Sequence, residues 1–271
     1  MKTQYDVTIA GLPIGGLTRT TPETLHAFKS ARVIFDLTSH SRLLRKFCEQ
    51  LINLDNEYWT GELDEDVYER IATIVLNAAR SGAGVVLVVD GHPAIYQDLS
   101  LDIYNRGKRR GLKVKILPAV SCIDLMISSG ELPLDARGLQ ILEATTMVGL
   151  NTRLNPFLDL LIMQIGWFGT SLLYEVAHNT KGRFKPLITY LTKFYPGHHK
   201  VRLLRVPASP VARCRSLVFA ISSLDRFHKS ITTDTTLFIP ALDNDDDSSV
   251  NEEFLEQTED KNYLASIARL R

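Results

Sequence analysis

Two tyrosines and an acid at fixed spacing are the richest acid–base material in the chain: Tyr58, Asp64 and Tyr68, with Trp59 adjacent. Asp64 and Tyr68 stand four apart, so they share one face of any helix that carries them. A phenol can donate a hydrogen bond to developing negative charge and, once ionised, can take a proton. The same stretch also reads as an ordinary helix start, because Glu62, Asp64, Glu65 and Asp66 suit the positive end of a helix dipole. Spacing alone favours that plainer reading. A second group, Asp90-Gly91-His92-Pro93, packs an acid, a glycine, an imidazole and a proline into four residues. His92 is either a functional side chain or turn filler, and its neighbours favour the turn. Gly11-Leu-Pro-Ile-Gly15-Gly16 is glycine-rich, yet it has neither the G-x-G-x-x-G of dinucleotide sites nor the G-K-[ST] of a P-loop. Taken alone it is a tight turn. His198 and His199 are adjacent and point different ways, a poor arrangement for a metal, and no metal site is expected.

These residues need elements to hold them. Val7–Ala10 is a short apolar run ending in Gly11, and Thr20-Thr21-Pro22-Glu23 opens a helix with a threonine cap, proline in the first turn and an acid near the positive end. Arg32–Leu37 reads as a strand, and Ser39–Leu51 reads as a helix, with leucines and Phe47 at helical spacing. Asp64–Ala79 is the clearest helix: Val67, Ile71, Ile74, Val75 and Ala78 repeat at three and four, and Gly82 and Gly84 stop it. Val85–Val89, apolar on both faces, suits the middle of a parallel sheet. A helix follows Gly91-His92-Pro93 and runs to Arg110. Val114–Leu117 is the next strand, and Ser121–Ser128 starts another helix.

Strand and helix alternate through this first half, which implies a parallel sheet with helices on both faces. The second half differs: Leu139–Ala144, Leu158–Ile165, Val201–Val206, Leu217–Ile221 and Thr235–Ile239 read as strands, with a helix over Phe184–Phe194. The expected organisation is an α/β domain over 1–135, a second α/β domain with a mixed sheet over 136–241, and an acidic linker with a terminal helix, Glu252–Leu270, within 242–271. Ligands in an open parallel sheet bind beyond the carboxyl ends of the strands. Three loops qualify: Gly11–Thr20, Asp90–Tyr96 and Pro118–Cys122.

The 271 residues are 45% hydrophobic, enough for a sizeable core or two modest ones. Lysine plus arginine equals aspartate plus glutamate, 31 against 31, so nothing pulls the chain toward nucleic acid or an anionic membrane. Cys48, Cys122 and Cys214 are odd in number and far apart, which argues against a disulfide framework and for a reducing cytoplasm. The N-terminal apolar run is too short for a signal peptide, and none approaches the ~20 residues of a membrane span.

Read in order, Val7–Gly16, the helix at Pro22, Arg32–Phe35, Val85–Tyr96 and Lys113–Leu125 together resemble the tetrapyrrole methylase family. Its glycine-rich first loop falls on Gly11–Gly16, its strand-end Gly-Asp-Pro on Gly91-His92-Pro93, and its Pro-Gly-[Ile/Val]-Ser on Pro118-Ala119-Val120-Ser121. Within the family the chain looks most like the borosin peptide backbone α-N-methyltransferases, which carry Gly-His-Pro followed by an aliphatic and an aromatic residue, here Ile95-Tyr96. Further similarity lies in Glu143-Ala144-Thr145, Gln164-Ile165-Gly166, Tyr195 with His199, and Phe238-Ile239-Pro240.

The resemblance implies the family's two-domain fold, a homodimer, and an S-adenosylmethionine pocket between the domains. Gly91, His92, Pro93, Ile95, Tyr96, Ser121, Cys122, Gln164, Ile165 and Ala208 would bind the cofactor, and Tyr58, Asp64 and Tyr68 would carry the chemistry. The acceptor would be a precursor peptide supplied in trans, since 242–271 is acidic and then helical, without a short apolar core peptide. Borosin enzymes place an arginine where this chain has Asp64, and Arg70 falls on a different helix face. An ionised Asp64 has the wrong sign to stabilise charge on an amide oxygen and would raise the pKa of a neighbouring tyrosine. Ala119 and Leu12-Pro13 also depart from the family pattern. The alternatives are a methyltransferase of a tetrapyrrole or other small molecule, or a cofactor-binding homologue without catalysis.

Overall fold

The computed structural model describes residues 5–38, 40–129, 131, 132, 134, 138–174, 179–206, 213–243, 252–262 and 265. The first half builds one parallel sheet from β1 (Val7–Leu12), β2 (Val33–Leu37), β3 (Leu51–Asn53), β4 (Val85–Asp90) and β5 (Val114–Ile116), in the order β3-β2-β4-β1-β5. Its helices are α1 (Pro22–Ser30), α2 (Ser41–Leu44), α3 (Asp55–Tyr58), α4 (Asp64–Arg80), α5 (Asp98–Arg109) and α6 (Cys122–Ser128). The unbroken apolar run of β4 is explained by burial on both sides. Val85, Leu87 and Val89 join one core with Val67, Ile71 and Val75 of α4. Val86 and Val88 point the other way, into a core with Phe28 and Leu44.

The second half adds α7 (Ala144–Gly149), α8 (Lys185–Leu191) and a sheet of β6 (Leu139–Glu143), β7 (Asp159–Met163), β8 (Lys200–Arg205), β9 (Arg215–Ala220) and β10 (Thr235–Ile239), ordered β6-β7-β10-β8-β9. β6 and β7 are parallel and the remaining pairs antiparallel, so the sheet is mixed. Leu160 and Ile162 face a core built with α7 and α8. Leu161 and Met163 face a cluster holding Met126, with Tyr96, Cys122 and Ile123 packed against it, which joins the first half to the second. Helix α9 (Glu252–Glu259) lies within the expected terminal helix; 244–251, and 133 and 135–137 at the expected boundary, are outside the described residues.

Local signals act as the residue types dictate. Thr21 caps α1, its hydroxyl accepting from Thr24 N at 3.2 Å, with Pro22 in the first turn. Ser121 and Asp124 form a capping box on α6. One expectation fails: Ser39–Leu51 is not one helix. After α2 the chain turns, and Leu51 pairs with Ile34 as the edge strand β3. Leu44 and Cys48 still bury in the core, so the apolar pattern is satisfied by turns while the backbone gains a ladder on β2. Residue 39 is outside the described residues. The helix expected directly after Pro93 starts at Asp98, because Ile95 N bonds back to His92 O and closes a turn first. Among the described residues, no helix is long and apolar enough to cross a membrane.

The carboxyl ends of β1 and β4 are packed to contact. A Cβ on Gly11 would lie 2.0 Å from Gly91 O, 2.6 Å from Ala119 Cβ and 2.8 Å from Pro93 Cδ. None of these neighbours can swing aside. Gly11→Ala is therefore expected to destabilise by about 3 kcal/mol, the upper end for overpacking, measured as a lowered midpoint in urea; a change under about 1 kcal/mol would show that the three loops do not meet this closely.

Candidate active site

A cleft of about 980 Å³ opens between the two sheets. The first half contributes Tyr58, Trp59, Asp64, Tyr68, Asp90, Tyr96 and Asp98; the second contributes Leu142, Glu143, Thr145, Gln164, Trp167, Thr170–Leu173, Val206 and Asp234.

Its walls are joined by backbone. The 171–173 segment pairs with the residues that lead into α4: Gly61 N donates to Leu173 O at 2.7 Å and Leu173 N to Glu62 O at 3.0 Å. Asp64 N, one of the amides a helix start leaves without an internal partner, donates to Ser171 O at 2.9 Å. Asp64 is thus anchored at the mouth of the helix, and Tyr68 one turn later faces the same cleft. Arg70 binds Glu57 at 3.1 Å and Glu62 at 2.7 Å, and holds α3 against α4. It does not line the cleft.

Tyr58 and Tyr68 stack with ring centroids 6.4 Å apart. Trp59 packs edge-on against Tyr58 at 4.6 Å and stacks on Trp167 at 5.9 Å, so aromatic contact continues from one half to the other. Burial pushes both phenols above their ordinary value, and the carboxylates of Asp64 and Asp98 push further the same way. Both are protonated at neutral pH and so can donate. Asp98 is raised as well, by desolvation first and then by Asp64 and Glu143.

A second join crosses the cleft at two unusual backbones. Tyr96 and Gln164 are non-glycine residues in the left-handed region, at φ 50° and 55°. Gln164 Nε2 donates to Tyr96 O at 2.9 Å. Such backbones persist where the surroundings determine them strongly, and functional clefts are where they gather.

Of the residues expected at the site, Tyr58, Asp64, Tyr68, Tyr96 and Gln164 meet in this cleft. Gly91, His92, Pro93, Ile95, Ser121 and Cys122 lie outside its lining. His92 Nδ1 accepts from Ala94 N at 3.1 Å, which closes the turn. The Ser121 hydroxyl is taken by Asp124 at 2.7 Å. Gly91 N bonds Leu12 O at 2.8 Å, and Cys122 is half-buried against the joining cluster with its thiol pushed up by burial. Ile165 is fully buried in the core of the second half. Ala208 is outside the described residues. Trp167, Asp98, His40 and Asp234 line the cleft without having been singled out from the sequence. A signal existed only for Trp167, three residues beyond Gln164 and so one turn further along.

The lining suits S-adenosylmethionine in size and charge. Its volume sits at the upper end of the ~300–1,000 Å³ typical of ligand sites. Leu142, Met147, Val206 and the Tyr96 ring offer apolar surface, and Gln164 and Thr145 offer polar groups. Asp64, Asp90, Asp98, Glu143 and Asp234 are all acids, and among the described lining residues no lysine or arginine appears, which favours a cationic guest.

If the two phenols are held protonated, Tyr58→Phe and Tyr68→Phe should leave the phenolate absorbance that develops near pH 10 unchanged and remove amplitude only at higher pH. A loss of amplitude near pH 10 would contradict the burial. The folded chain also holds these protons more tightly than the unfolded one, so it should lose stability as pH rises past 10.

Residues 6–205 match the family model described as Tetrapyrrole (Corrin/Porphyrin) Methylases. A relative from Mycena rosella, a methyltransferase/ribosomally synthesized type I borosin cyclic peptide precursor, is 26% identical over 246 residues, 89% of this chain and 61% of its own length. A type II borosin precursor from Phlebiopsis gigantea is 26% identical over 87% of this chain and 43% of its own length. The chain thus spans roughly half the length of these relatives. Among solved structures, uroporphyrin-III-C-methyltransferase from Thermus thermophilus aligns with TM-score 0.59 and 16% identity over 86% of this chain and 91% of that one. Cobalt precorrin-4 methyltransferase aligns with TM-score 0.61 and 14% identity over 86% and 94%. These two share the fold. With the parallel sheet, the mixed sheet and the cleft between them, the match over 6–205 means that the chain belongs to the tetrapyrrole methylase family.

Proposed function

We propose that this chain is an S-adenosylmethionine-dependent methyltransferase that N-methylates a peptide backbone. The observation that carries the reading is the Tyr58–Tyr68 pair, two phenols kept protonated in a cleft that also gathers Tyr96 and Gln164. An amide nitrogen is a weak nucleophile, and as it attacks, negative charge develops on the amide oxygen. Paired phenol donors in the cleft answer that need. S-adenosylmethionine supplies an electrophilic methyl carbon on a positively charged sulfur. Tyr96 and Gln164, fixed by their mutual hydrogen bond, would wall the donor, while Trp59 and Trp167 would hold the acceptor flat against their stacked rings. The volume leaves room for an extended peptide segment beside the donor. The two borosin relatives are named as methyltransferase and peptide precursor in one, and that pairing points to the same acceptor class.

A tetrapyrrole acceptor fits less well. Such substrates carry many carboxylates, and these would meet the acids at 64, 90, 98 and 143.

The test is incubation with labelled S-adenosylmethionine and synthetic peptides encoded by neighbouring reading frames, followed by mass spectrometry. Methyl increments on backbone nitrogens are expected. Label found on a tetrapyrrole, or on no peptide at all, would refute the reading. Tyr58→Phe and Tyr68→Phe should each lower kcat by about 10²–10³-fold with little change in S-adenosylhomocysteine affinity by calorimetry; undiminished turnover would remove the phenols from the mechanism.

A further inference from the structure

The methyl-transfer reading leaves a proton without a destination. A nitrogen that gains a methyl group must lose its hydrogen, and the two phenols, both protonated, have no site to take it.

The carboxylates of the cleft are not equivalent. Both oxygens of Glu143 cap α7, accepting from Thr145 N at 2.8 Å and Thr146 N at 2.6 Å. Asp234 is ion-paired with Arg205 at 2.5 Å. Asp64 accepts from Glu65 N at 2.9 Å, and Asp90 is engaged too. Asp98 differs: among the described residues no hydrogen bond ties its carboxylate, and it keeps that group open to the cleft that also holds the tyrosine pair.

We propose that Asp98 is the proton acceptor of the reaction, taking the hydrogen of the acceptor nitrogen onto a carboxylate oxygen as the Tyr58–Tyr68 pair holds the acceptor's carbonyl oxygen. This rests on the methyl-transfer reading above. The balance closes within it: the nitrogen's electron pair forms the new N–C bond, the electrons of the breaking S–C bond stay on sulfur, and the N–H proton moves to Asp98, which returns it to water after product leaves.

The surroundings tune Asp98 for this role. Its place in the first turn of α5 would by itself favour the ionised form. Partial loss of water first, and the like charges of Asp64 and Glu143 next, act oppositely and prevail, so its proton affinity is raised. The groups that face it are Asp64 and Tyr68 from α4, Tyr58 from α3, and Glu143 from the end of β6. His40, Asp90, Tyr96 and Asp234 complete the titratable set in the cleft.

Two measurements test this, one without any reaction. Carbon-13 carboxyl NMR of aspartate-labelled protein, with Asp98→Asn to assign the resonance, should show Asp98 titrating above the ~3.9 of a free aspartate and falling toward it in Asp64→Asn. In the pH profile of kcat, Asp98→Asn should lose about 10²–10⁴-fold together with the acid limb. Asp98→Glu should restore part of the rate, and Asp64→Asn should move the limb to lower pH. A wild-type chain that methylates peptide while Asp98→Asn keeps its rate and profile overturns the base and leaves the methyl-transfer reading standing. An Asp98 that titrates in the ordinary range and ignores Asp64→Asn also overturns it. A wild-type chain that methylates no peptide overturns both.

Discussion

Three backbone hydrogen bonds between the residues ahead of α4 and the 171–173 segment define the geometry on which the site depends. They run from Gly61 N, Leu173 N and Asp64 N to partners in the other half of the chain. A helix start must find acceptors for its first amides, and here one acceptor comes from the second half instead of from a capping side chain. The same bonds that satisfy α4 therefore set its distance from the second sheet. Tyr68 rides on α4, and Tyr58 is tied to it through Arg70, Glu57 and Glu62. The acid–base group and the Tyr96–Gln164 wall become parts of one cleft because this seam holds them together.

Electrostatics inside the cleft follow from its composition. It gathers acids on both walls and is lined by no lysine or arginine among the described residues. Partial desolvation and the neighbouring carboxylates raise the proton affinity of Asp98, and burial with nearby carboxylates raises the phenols too. In both phenols burial is the larger cause and Asp64 a smaller one. The acid at position 64 therefore reinforces a donor state that the surrounding packing already imposes.

Much of the architecture was legible from residue patterns because its causes are local. The apolar run 85–89, the periodic helix from Asp64, the threonine cap before Pro22 and the strand at Thr235–Ile239 each carry their signal within one element. The 39–51 stretch misled because its helical spacing serves turns packed on a core, while the pairing of Leu51 with Ile34 depends on a strand elsewhere. The site was legible in part. Tyr58, Asp64 and Tyr68 stood out as titratable groups, the last two at helical spacing, and Tyr96 and Gln164 came from family motifs. Asp98 fell inside a helix expected to follow Pro93 and was not singled out. Its surroundings come from α3, α4 and β6, and no single-element pattern could show them. His92 and Ser121 lie within recognisable motifs, where His92 Nδ1 closes a turn and the Ser121 hydroxyl a helix cap, so the motif residues also set local backbone shape.

The account stands on the cleft between the sheets being where the methyl donor sits. The most direct measurement is a crystal structure of the protein with S-adenosylhomocysteine. The ligand is predicted to lie against Tyr96 and Gln164, with its sulfur directed toward Tyr58 and Tyr68. Ligand bound elsewhere on the molecule, or a cleft filled by the protein's own side chains with no room for adenosine, would contradict it.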